Sequence, residues 1–123
     1  MLFRSTVTTA QANYAGDEVY EGGGEKGEYR GRTLPVNHFA PNAFGLYQMQ
    51  GNVSEWVEDR WHETYDGAPG DGSAWTDGDN PRRVRRGGSW FTPPRSLRSA
   101  ARIGSRPDTR LISIGFRLAH TLF

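Results

Sequence analysis

Between residues 85 and 119 the chain mixes two kinds of sequence, and this mixture constrains the fold more than any other feature. Short motifs rich in Gly, Arg and aromatic residues occur at 86–90, 97–100 and 114–117. The residues between these motifs share no periodicity and no common chemistry. Unpatterned residues are typical of surface connections, whereas Gly and aromatic motifs hold strands and turns in place, so we expect Trp90 and Phe116 to be buried. The sequence therefore predicts a rigid scaffold that presents a surface of unconstrained composition.

The composition agrees with such a scaffold. The length of 123 residues suits one domain, or a fragment of one. Only 35% of the residues are hydrophobic, and the chain contains 16 Gly, 7 Pro and 4 Trp, which favours short strands, long irregular loops and little helix. Cysteine is absent. Disulfides, thiolate metal sites and cysteine nucleophiles are therefore excluded for these residues.

Charge is distributed unevenly along the chain. Residues 1–80 carry 5 Lys+Arg and 13 Asp+Glu, a net charge of −8, whereas residues 81–123 carry 10 Arg and one Asp, a net charge of +9. The two parts should attract each other if they pack together. A basic final third is also typical of nucleic-acid binding, but scattered Arg residues more often bond carboxylates and carbonyls inside a fold. Nucleic acid is therefore the less favoured partner.

Hydrophobic alternation predicts short strands separated by loops rich in Gly, Asp and Pro. The predicted strands are 53–61, 83–90, 97–103 and 113–119; the predicted loops are 13–31 and 62–82, the second anchored at Trp75. Residues 1–12 are polar and are predicted to be a disordered or truncated segment. No stretch approaches the roughly 18 apolar residues that span a bilayer, and the first residues lack the apolar centre of a secretory signal. No membrane segment is predicted, and localisation is left open.

Four motifs, in order along the chain, resemble those of the formylglycine-generating enzyme family, also called the sulfatase-modifying factor family. They are Gly-Asn-Val-Ser-Glu-Trp at 51–56, Arg-Gly-Gly-Ser-Trp at 86–90, Arg-Ser-Ala at 98–100 and Gly-Phe-Arg at 115–117. The resemblance implies an α+β, C-type-lectin-like fold of the formylglycine-generating-enzyme type. It assigns residues 13–123 to the C-terminal part of that domain, so we expect an N-terminal half or another chain to complete the fold.

The resemblance does not extend to the family's chemistry. Its best-known members use two cysteines to bind copper, and the corresponding positions here are near Thr92 and Leu97. Neither side chain supplies the soft sulfur that copper(I) prefers. Iron-dependent relatives need a histidine cluster, but His38, His62 and His120 are scattered along the sequence. We therefore expect no copper, no iron and no enzymatic activity; a formylglycine-generating oxidoreductase is a minor alternative.

A calcium site is easier to transfer from the family. Family members surround a structural Ca²⁺ with oxygen atoms at and beside the Gly-Asn motif, which suits this hard cation. The resemblance assigns the corresponding ligands to Gln48, Gly51, Val53 and Glu55, with neutral Gln48 replacing a usual Asp or Asn. A second interpretation of Glu55 is that it pairs with an Arg of the scaffold. The sequence leaves both interpretations open.

Within this family, residues 85–119 are most similar to the variable proteins of diversity-generating retroelements. These elements randomise adenines in a template, so that AAC codons become NNC and asparagine positions become variable. Aligned with such a template, the chain places variable residues at Phe91, Thr92, Pro93, Ser96, Ala101, Ile103, Gly104, Ser105, Arg106, Thr109, Leu111, Ile112 and Ser113. NNC codons cannot encode Lys, Glu, Gln, Met or Trp, and none of these occurs at the thirteen positions.

The resulting expectation is a non-catalytic, receptor-type protein that binds an unknown protein or glycan through its variable positions. Apolar side chains with polar neighbours are typical of protein-binding surfaces, and four of the variable residues are large and apolar. They are Phe91, Ile103, Leu111 and Ile112. For Ile103 and Ile112 the alternative is burial in the core. The alternative for the whole chain is a structural domain of the same family without diversification.

Overall fold

The computed structural model describes residues 7–20 and 23–120. Four short strands form one sheet: β1 (Ser54–Arg60), β2 (Arg83–Arg86), β3 (Ile103–Ser105) and β4 (Ile114–Gly115). Their order across the sheet is β3-β2-β1-β4. β1 pairs antiparallel with β2 and parallel with β4, and β2 pairs antiparallel with β3. The helical content of the described residues is a single 3-10 turn, Pro94–Ser96, so the predicted short strands and scarcity of helix are confirmed.

The strand predictions succeeded best for the centre of the sheet. β1 lies within the predicted 53–61, and β2 begins at the predicted residue but ends at Arg86. It ends there because Gly87 and Gly88 take φ angles of 88° and 68°, which do not continue a strand.

The other two strand predictions were less accurate. The prediction of a strand over 97–103 is wrong, since the strand in this region is β3, which starts at Ile103. Before it, Pro94 begins the 3-10 turn, where a fixed φ favours helical geometry over a sheet. The predicted strand 113–119 is reduced to the two residues of β4.

The buried core is small and includes residues that the sequence placed in irregular segments. Ala12, Tyr14 and Leu97 pack together with Val7 against them, and Val84 of β2 is fully buried. The Tyr14 hydroxyl donates a hydrogen bond to the Val7 carbonyl at 3.1 Å. Val7 and Ala12, from the segment predicted to be disordered or truncated, thus pack in the core, while residues 1–6 lie outside the described part of the chain.

A hydrogen-bonded hub forms around Asn52, just before β1. Its side-chain Oδ1 accepts from Asn13 Nδ2 at 3.0 Å and from the Leu34 backbone N–H at 2.8 Å, and its Nδ2 donates to the Leu34 carbonyl at 3.2 Å. Its backbone N–H donates to the Asn13 carbonyl, and its carbonyl accepts from the Trp90 N–H. A Cβ on neighbouring Gly51 would lie 2.3 Å from the Asn13 carbonyl oxygen. The Gly-Asn pair therefore joins three remote segments to the start of β1.

The long connection 62–82 remains irregular, as predicted, and is fixed at Trp75. The rings of His62 and Trp75 stack with centroids 3.5 Å apart, and the Trp75 N–H donates to Asp59 of β1 at 2.6 Å. Arg60 donates side-chain hydrogen bonds to the carbonyls of Thr76 and Asn80. This connection brings Trp61 and Tyr65 toward the final third of the chain, where both line a cavity. In the described ranges, no helix is both long and apolar enough to cross a membrane.

Candidate ligand-binding pocket

An open cavity of about 620 Å³ lies beside β2 and the 3-10 turn. We call it the variable pocket because the predicted variable positions contribute much of its lining. Eight of the thirteen positions line it: Phe91, Thr92, Pro93, Ser96, Ala101, Ile103, Leu111 and Ser113. Trp61 and Tyr65, which the sequence analysis did not assign to a site, complete the aromatic part of the wall. The fold thus gathers residues from 91 to 113 onto one concave surface.

The thirteen positions are accessible, whereas parts of the scaffold between and beside them are buried. All thirteen belong to the described part of the chain, and each is exposed or half-buried. Ile103 is 40% exposed and Ile112 is 83% exposed, so the alternative that these residues belong to the core is wrong. Ser89 and Leu97, which belong to the scaffold motifs, are only 4% and 3% exposed. Changes at the variable positions therefore alter the surface more directly than the core.

Five predicted variable positions do not line the variable pocket; these are Gly104, Ser105, Arg106, Thr109 and Ile112. The expectation that variable side chains project from irregular connections is wrong for two of them. Gly104 and Ser105 belong to β3, and the Ser105 hydroxyl accepts hydrogen bonds from Arg85 at 3.0 and 2.8 Å. A Cβ on Gly104 would lie 2.5 Å from Trp61. These two positions therefore have structural roles in addition to any role in diversity.

The scaffold aromatics are less buried than the sequence indicated. Phe116 was expected in the core but is 73% exposed. Trp90 is half-buried and contacts two other rings, with centroids 6.1 Å from Tyr29 and 5.8 Å from Phe91. The core prediction for Phe116 is wrong because β4 ends at Gly115, before the sheet can cover the next residue.

Four arginines, Arg85, Arg86, Arg98 and Arg102, line the variable pocket, and we call them the arginine cluster. Arg85 is only 8% exposed, and burial lowers the pKa of its guanidinium. Its hydrogen-bond partners are the hydroxyls of Ser54 and Ser105. The Arg102 guanidinium lies 4.8 Å from the Trp61 ring centroid and 4.2 Å from that of Tyr65. The cluster is thus held by neutral groups.

The predicted attraction between the acidic and basic parts of the chain is realised at one point. Of the ion pairs among the described residues, only Arg117 with Glu55 joins the two parts. Arg117 bonds both carboxylate oxygens, one of them at 2.6 Å, and this pairing raises the pKa of Arg117. It also donates to the Tyr47 carbonyl at 3.0 Å. The scaffold-arginine interpretation of Glu55 therefore holds in this structure.

The residues assigned to calcium lie around this ion pair. Gln48 takes a φ of 46° and donates from Nε2 to the carbonyls of Pro35 and Val36, while its buried Oε1 has no hydrogen-bond partner. An unpartnered oxygen suits a hard cation, and a carboxylate that is bonded to Arg117 retains lone pairs for a second partner. The described residues contain no cluster of three His, Cys, Asp or Glu suited to a metal. The set therefore fits Ca²⁺ only with Glu55 shared between the ion and Arg117.

The structure brings together the two positions where copper-binding cysteines stand in the resembling enzymes. A Cβ on Gly88 would lie 2.7 Å from Leu97 Cδ2 and 3.1 Å from Thr92 Cγ2, so both side chains flank this glycine. Leu97 belongs to the core, and the Thr92 hydroxyl accepts a hydrogen bond from the Ser89 N–H at 2.9 Å. His62 is stacked on Trp75 instead of facing this place. Where the resemblance places the copper-binding cysteines, this chain thus has buried Leu97 and the hydrogen-bonded hydroxyl of Thr92.

Comparison with known proteins agrees with the motifs. The family model for the sulfatase-modifying factor enzyme 1-like domain matches residues 5–122. The chain belongs to this family. A formylglycine-generating enzyme from Thermomonospora curvata is 40% identical over 110 residues, which cover 78% of the chain and 33% of that protein. The family recognised from the four motifs is confirmed.

Two solved structures share the fold. PvdO from Pseudomonas aeruginosa has a TM-score of 0.69 at 43% identity, and the alignment covers 87% of the chain and 38% of PvdO. Treponema denticola variable protein 1 has a TM-score of 0.68 at 28% identity, with 87% of the chain and 34% of that protein covered. The predicted C-type-lectin-like fold of the formylglycine-generating-enzyme type is confirmed. The chain spans about a third of the length of these relatives.

Some relatives are named as formylglycine-generating enzymes and others as inactive forms of them. The inactive Cα-formylglycine-generating enzyme 2 of Bos taurus is 34% identical over 91 residues, which cover 69% of the chain and 26% of that protein. The given residues contain no cysteine, so they cannot bind copper through thiolates. This absence is consistent with the inactive relatives.

Proposed function

We propose that the chain is a non-catalytic ligand-binding protein whose binding surface is diversified by a retroelement. The observation that carries this proposal is the convergence of eight predicted variable positions on one pocket. Similarity to an adenine-rich template defines these positions from the sequence alone, independently of the cavity. Similarity to Treponema denticola variable protein 1 over 87% of the chain supports the same function.

The division between buried scaffold and accessible variable residues supports the proposal on physical grounds. Side chains that contribute little to the core can be exchanged with effects on stability within about 0.5 kcal/mol, whereas buried scaffold residues cost several times more. The hub at Asn52, the sheet and buried Leu97 supply the rigid part. A surface of this kind changes its ligand without losing its fold.

A non-enzymatic role is part of this proposal. The resemblance places the family's copper-binding cysteines near Thr92 and Leu97, and neither of these can bind copper(I) through sulfur. Thr92 is itself one of the thirteen variable positions, and a residue that varies is a poor place for an obligatory metal ligand. Copper- or iron-dependent turnover of a sulfatase-type peptide by the full chain would contradict this part of the proposal.

The ligand that best suits the rim of the variable pocket is a protein. Phe91 is 65% exposed and Leu111 is 56% exposed, and both line the pocket with Ile103. Exposed aromatic and aliphatic side chains next to arginine are typical of protein-binding surfaces. A glycan is the alternative ligand.

A further segment or another chain that adjoins these residues is also part of the proposal. It is consistent with the match to a formylglycine-generating enzyme, which covers 33% of that protein.

The experiment that tests diversification is sequencing of the DNA on both sides of the gene. The proposal predicts a near-copy of codons 85–119 with AAC at the thirteen positions, accompanied by a reverse-transcriptase gene. AAC codons at other positions would contradict the alignment. Absence of both the near-copy and the reverse transcriptase would favour the alternative, an undiversified structural domain of the same family.

A structural Ca²⁺ is a separate proposal. Gln48 and Glu55 would supply side-chain oxygens, Gly51 and Val53 would supply backbone carbonyls, and the ion would stabilise the segment that precedes β1. Calcium binding to the native state alone should raise the melting temperature of the full chain, and a chelator should reverse the increase. A melting temperature that calcium and chelator leave unchanged would contradict this site.

A further inference from the structure

The arginine cluster in the variable pocket lacks a counter-charge from the protein. Among the described residues, the arginines in ion pairs are Arg30, Arg106 and Arg117, and none of these belongs to the cluster. The described lining of the pocket contains no Asp or Glu. The lining of this cavity of about 620 Å³ therefore contains four arginines and no acidic residue, and Arg98 also lines a second, smaller cavity.

The positive charge of Arg85 is costly in free energy because this residue is buried. It is 8% exposed, its hydrogen-bond partners are hydroxyls, including Ser54 Oγ at 2.5 Å, and its guanidinium lies 5.6 Å from the centroid of the Trp56 ring. Removing a charge from water costs several kcal/mol unless an opposite charge compensates it. A hydroxyl supplies a dipole but no negative charge. An anion that entered the pocket would compensate Arg85 and the neighbouring guanidinium groups together.

The guanidinium groups near the pocket opening are already held in place. Arg86 donates to the Ser99 carbonyl and the Tyr65 hydroxyl, both at 3.1 Å. Arg102 is held by the rings of Trp61 and Tyr65. A guanidinium has five N–H donors, so these contacts leave donors for a ligand. Because the side chains are already ordered, binding an anion costs less conformational entropy than ordering free arginines would.

We propose that the arginine cluster binds carboxylate groups of the protein ligand, and that this requirement is common to all variants of the protein. It rests on the proposed function, because it assigns a fixed chemistry to the pocket that diversification changes. Arg85, Arg86, Arg98 and Arg102 all lie outside the thirteen variable positions. Diversification therefore changes Phe91, Ile103 and their neighbours while the carboxylate-binding groups stay constant. Variants select different acidic protein surfaces.

The geometry favours carboxylates over a nucleic-acid backbone. Nucleic-acid sites follow the phosphates with basic residues along a groove or stripe. Here the arginines share one pocket with apolar Phe91, Ile103 and Leu111. An Asp or Glu side chain, or the carboxylate of a chain end, fits between the guanidinium groups through bidentate bonds. Neighbouring apolar residues of the same ligand then contact the rim.

The test uses the full chain and three synthetic peptides, with affinities measured by isothermal titration calorimetry. The first peptide is hexaglutamate with both ends blocked, the second is blocked hexaglutamine, and the third is hexaglutamine with a free C-terminal carboxylate. A charge-assisted hydrogen bond contributes about 1.5–3 kcal/mol, which corresponds to about a tenfold to hundredfold change in affinity. We expect hexaglutamate to bind at least about tenfold more tightly than blocked hexaglutamine. Binding of the third peptide would show that a chain end also provides the carboxylate.

Three variants locate the binding. Arg102→Gln and Arg98→Gln each remove one charge from the cluster and should weaken hexaglutamate binding about tenfold. Arg98 keeps the test decisive if Arg102→Gln does not fold, because Arg98 is exposed and donates a local hydrogen bond to the Arg95 carbonyl. The matched control is Arg82→Gln, which removes the same charge from an exposed residue that lies outside both the pocket lining and the thirteen variable positions. It should change the affinity less than about twofold.

Equal binding of hexaglutamate and blocked hexaglutamine would overturn the proposal, as would equal losses in Arg82→Gln and Arg98→Gln. Tighter binding of a single-stranded DNA oligonucleotide through the same arginines would assign the cluster to nucleic acid and also overturn it. The peptide-binding test and the test for a template repeat can fail independently of each other. A template repeat without hexaglutamate binding removes only the carboxylate proposal, whereas hexaglutamate binding without a template repeat removes only diversification.

Discussion

Replacement of Asn52 by Ala should destabilise the fold more than any exposed substitution, because Asn52 joins remote segments through its side chain. The change removes three hydrogen bonds, two to Leu34 and one to Asn13. At about 1 kcal/mol each, their loss costs about 3 kcal/mol. Asn52 also has a φ of 67°, in the left-handed region, where Ala is less favourable by about 1–2 kcal/mol. The expected total is about 4–5 kcal/mol, a large fraction of the roughly 5–15 kcal/mol that stabilises a domain.

The assay is urea denaturation of the full chain followed by tryptophan fluorescence. Asn52→Gly should lose less stability than Asn52→Ala, because glycine tolerates the positive φ while it lacks the same hydrogen bonds. Asn37→Ala is the matched control, since Asn37 is exposed, and it should change the free energy of unfolding by less than about 0.5 kcal/mol. A loss below about 1 kcal/mol in Asn52→Ala would refute the claim that this hub organises the start of β1.

Three further predictions concern single residues. Gly104→Ala places a Cβ 2.5 Å from Trp61 and should lower stability by about 1–3 kcal/mol, measured as a lower urea midpoint; an unchanged midpoint would show that position 104 varies freely. Glu55→Gln breaks the partly exposed pair with Arg117 and should cost about 1 kcal/mol or less, with the loss shrinking in high salt. Burial raises the pKa of Tyr14, so its neutral form stabilises the fold below the unfolded-state value near 10 and this contribution is lost as pH rises through the higher folded-state pKa. Between pH 9 and 12 the melting temperature of Tyr14→Phe should fall less than that of the unchanged protein, and an identical fall would contradict the assignment.

The sequence predicted the parts of the fold that depend on local pattern. β1 lies within a stretch whose alternation marks a strand, and β2 begins at the predicted residue, Arg83. β3 was misplaced because its three residues have no alternation of their own and become a strand only by pairing with β2. The hub at Asn52 was not found, because its partner Asn13 is 39 residues distant in sequence.

The sequence predicted the accessible variable positions of the candidate site but not its arginine cluster. Similarity to a retroelement template predicted the thirteen accessible positions, because the template pattern depends on the sequence alone. The arginine cluster was missed because scattered arginines were expected to bond carboxylates inside the fold, and Arg85 instead bonds Ser54 and Ser105. Alternation within 83–86 places residues on opposite faces but does not show which face has acidic neighbours.

The central claim is that the thirteen positions vary while the scaffold and the arginine cluster stay fixed. Deep sequencing of codons 85–119 in a natural population that carries this gene tests it most directly. The account predicts that amino-acid differences concentrate at the thirteen positions, use codons ending in C, and spare Asn52, Leu97 and the four pocket arginines. Differences spread evenly over the segment, or an absence of differences at the pocket-lining positions beside ordinary variation elsewhere, would contradict it.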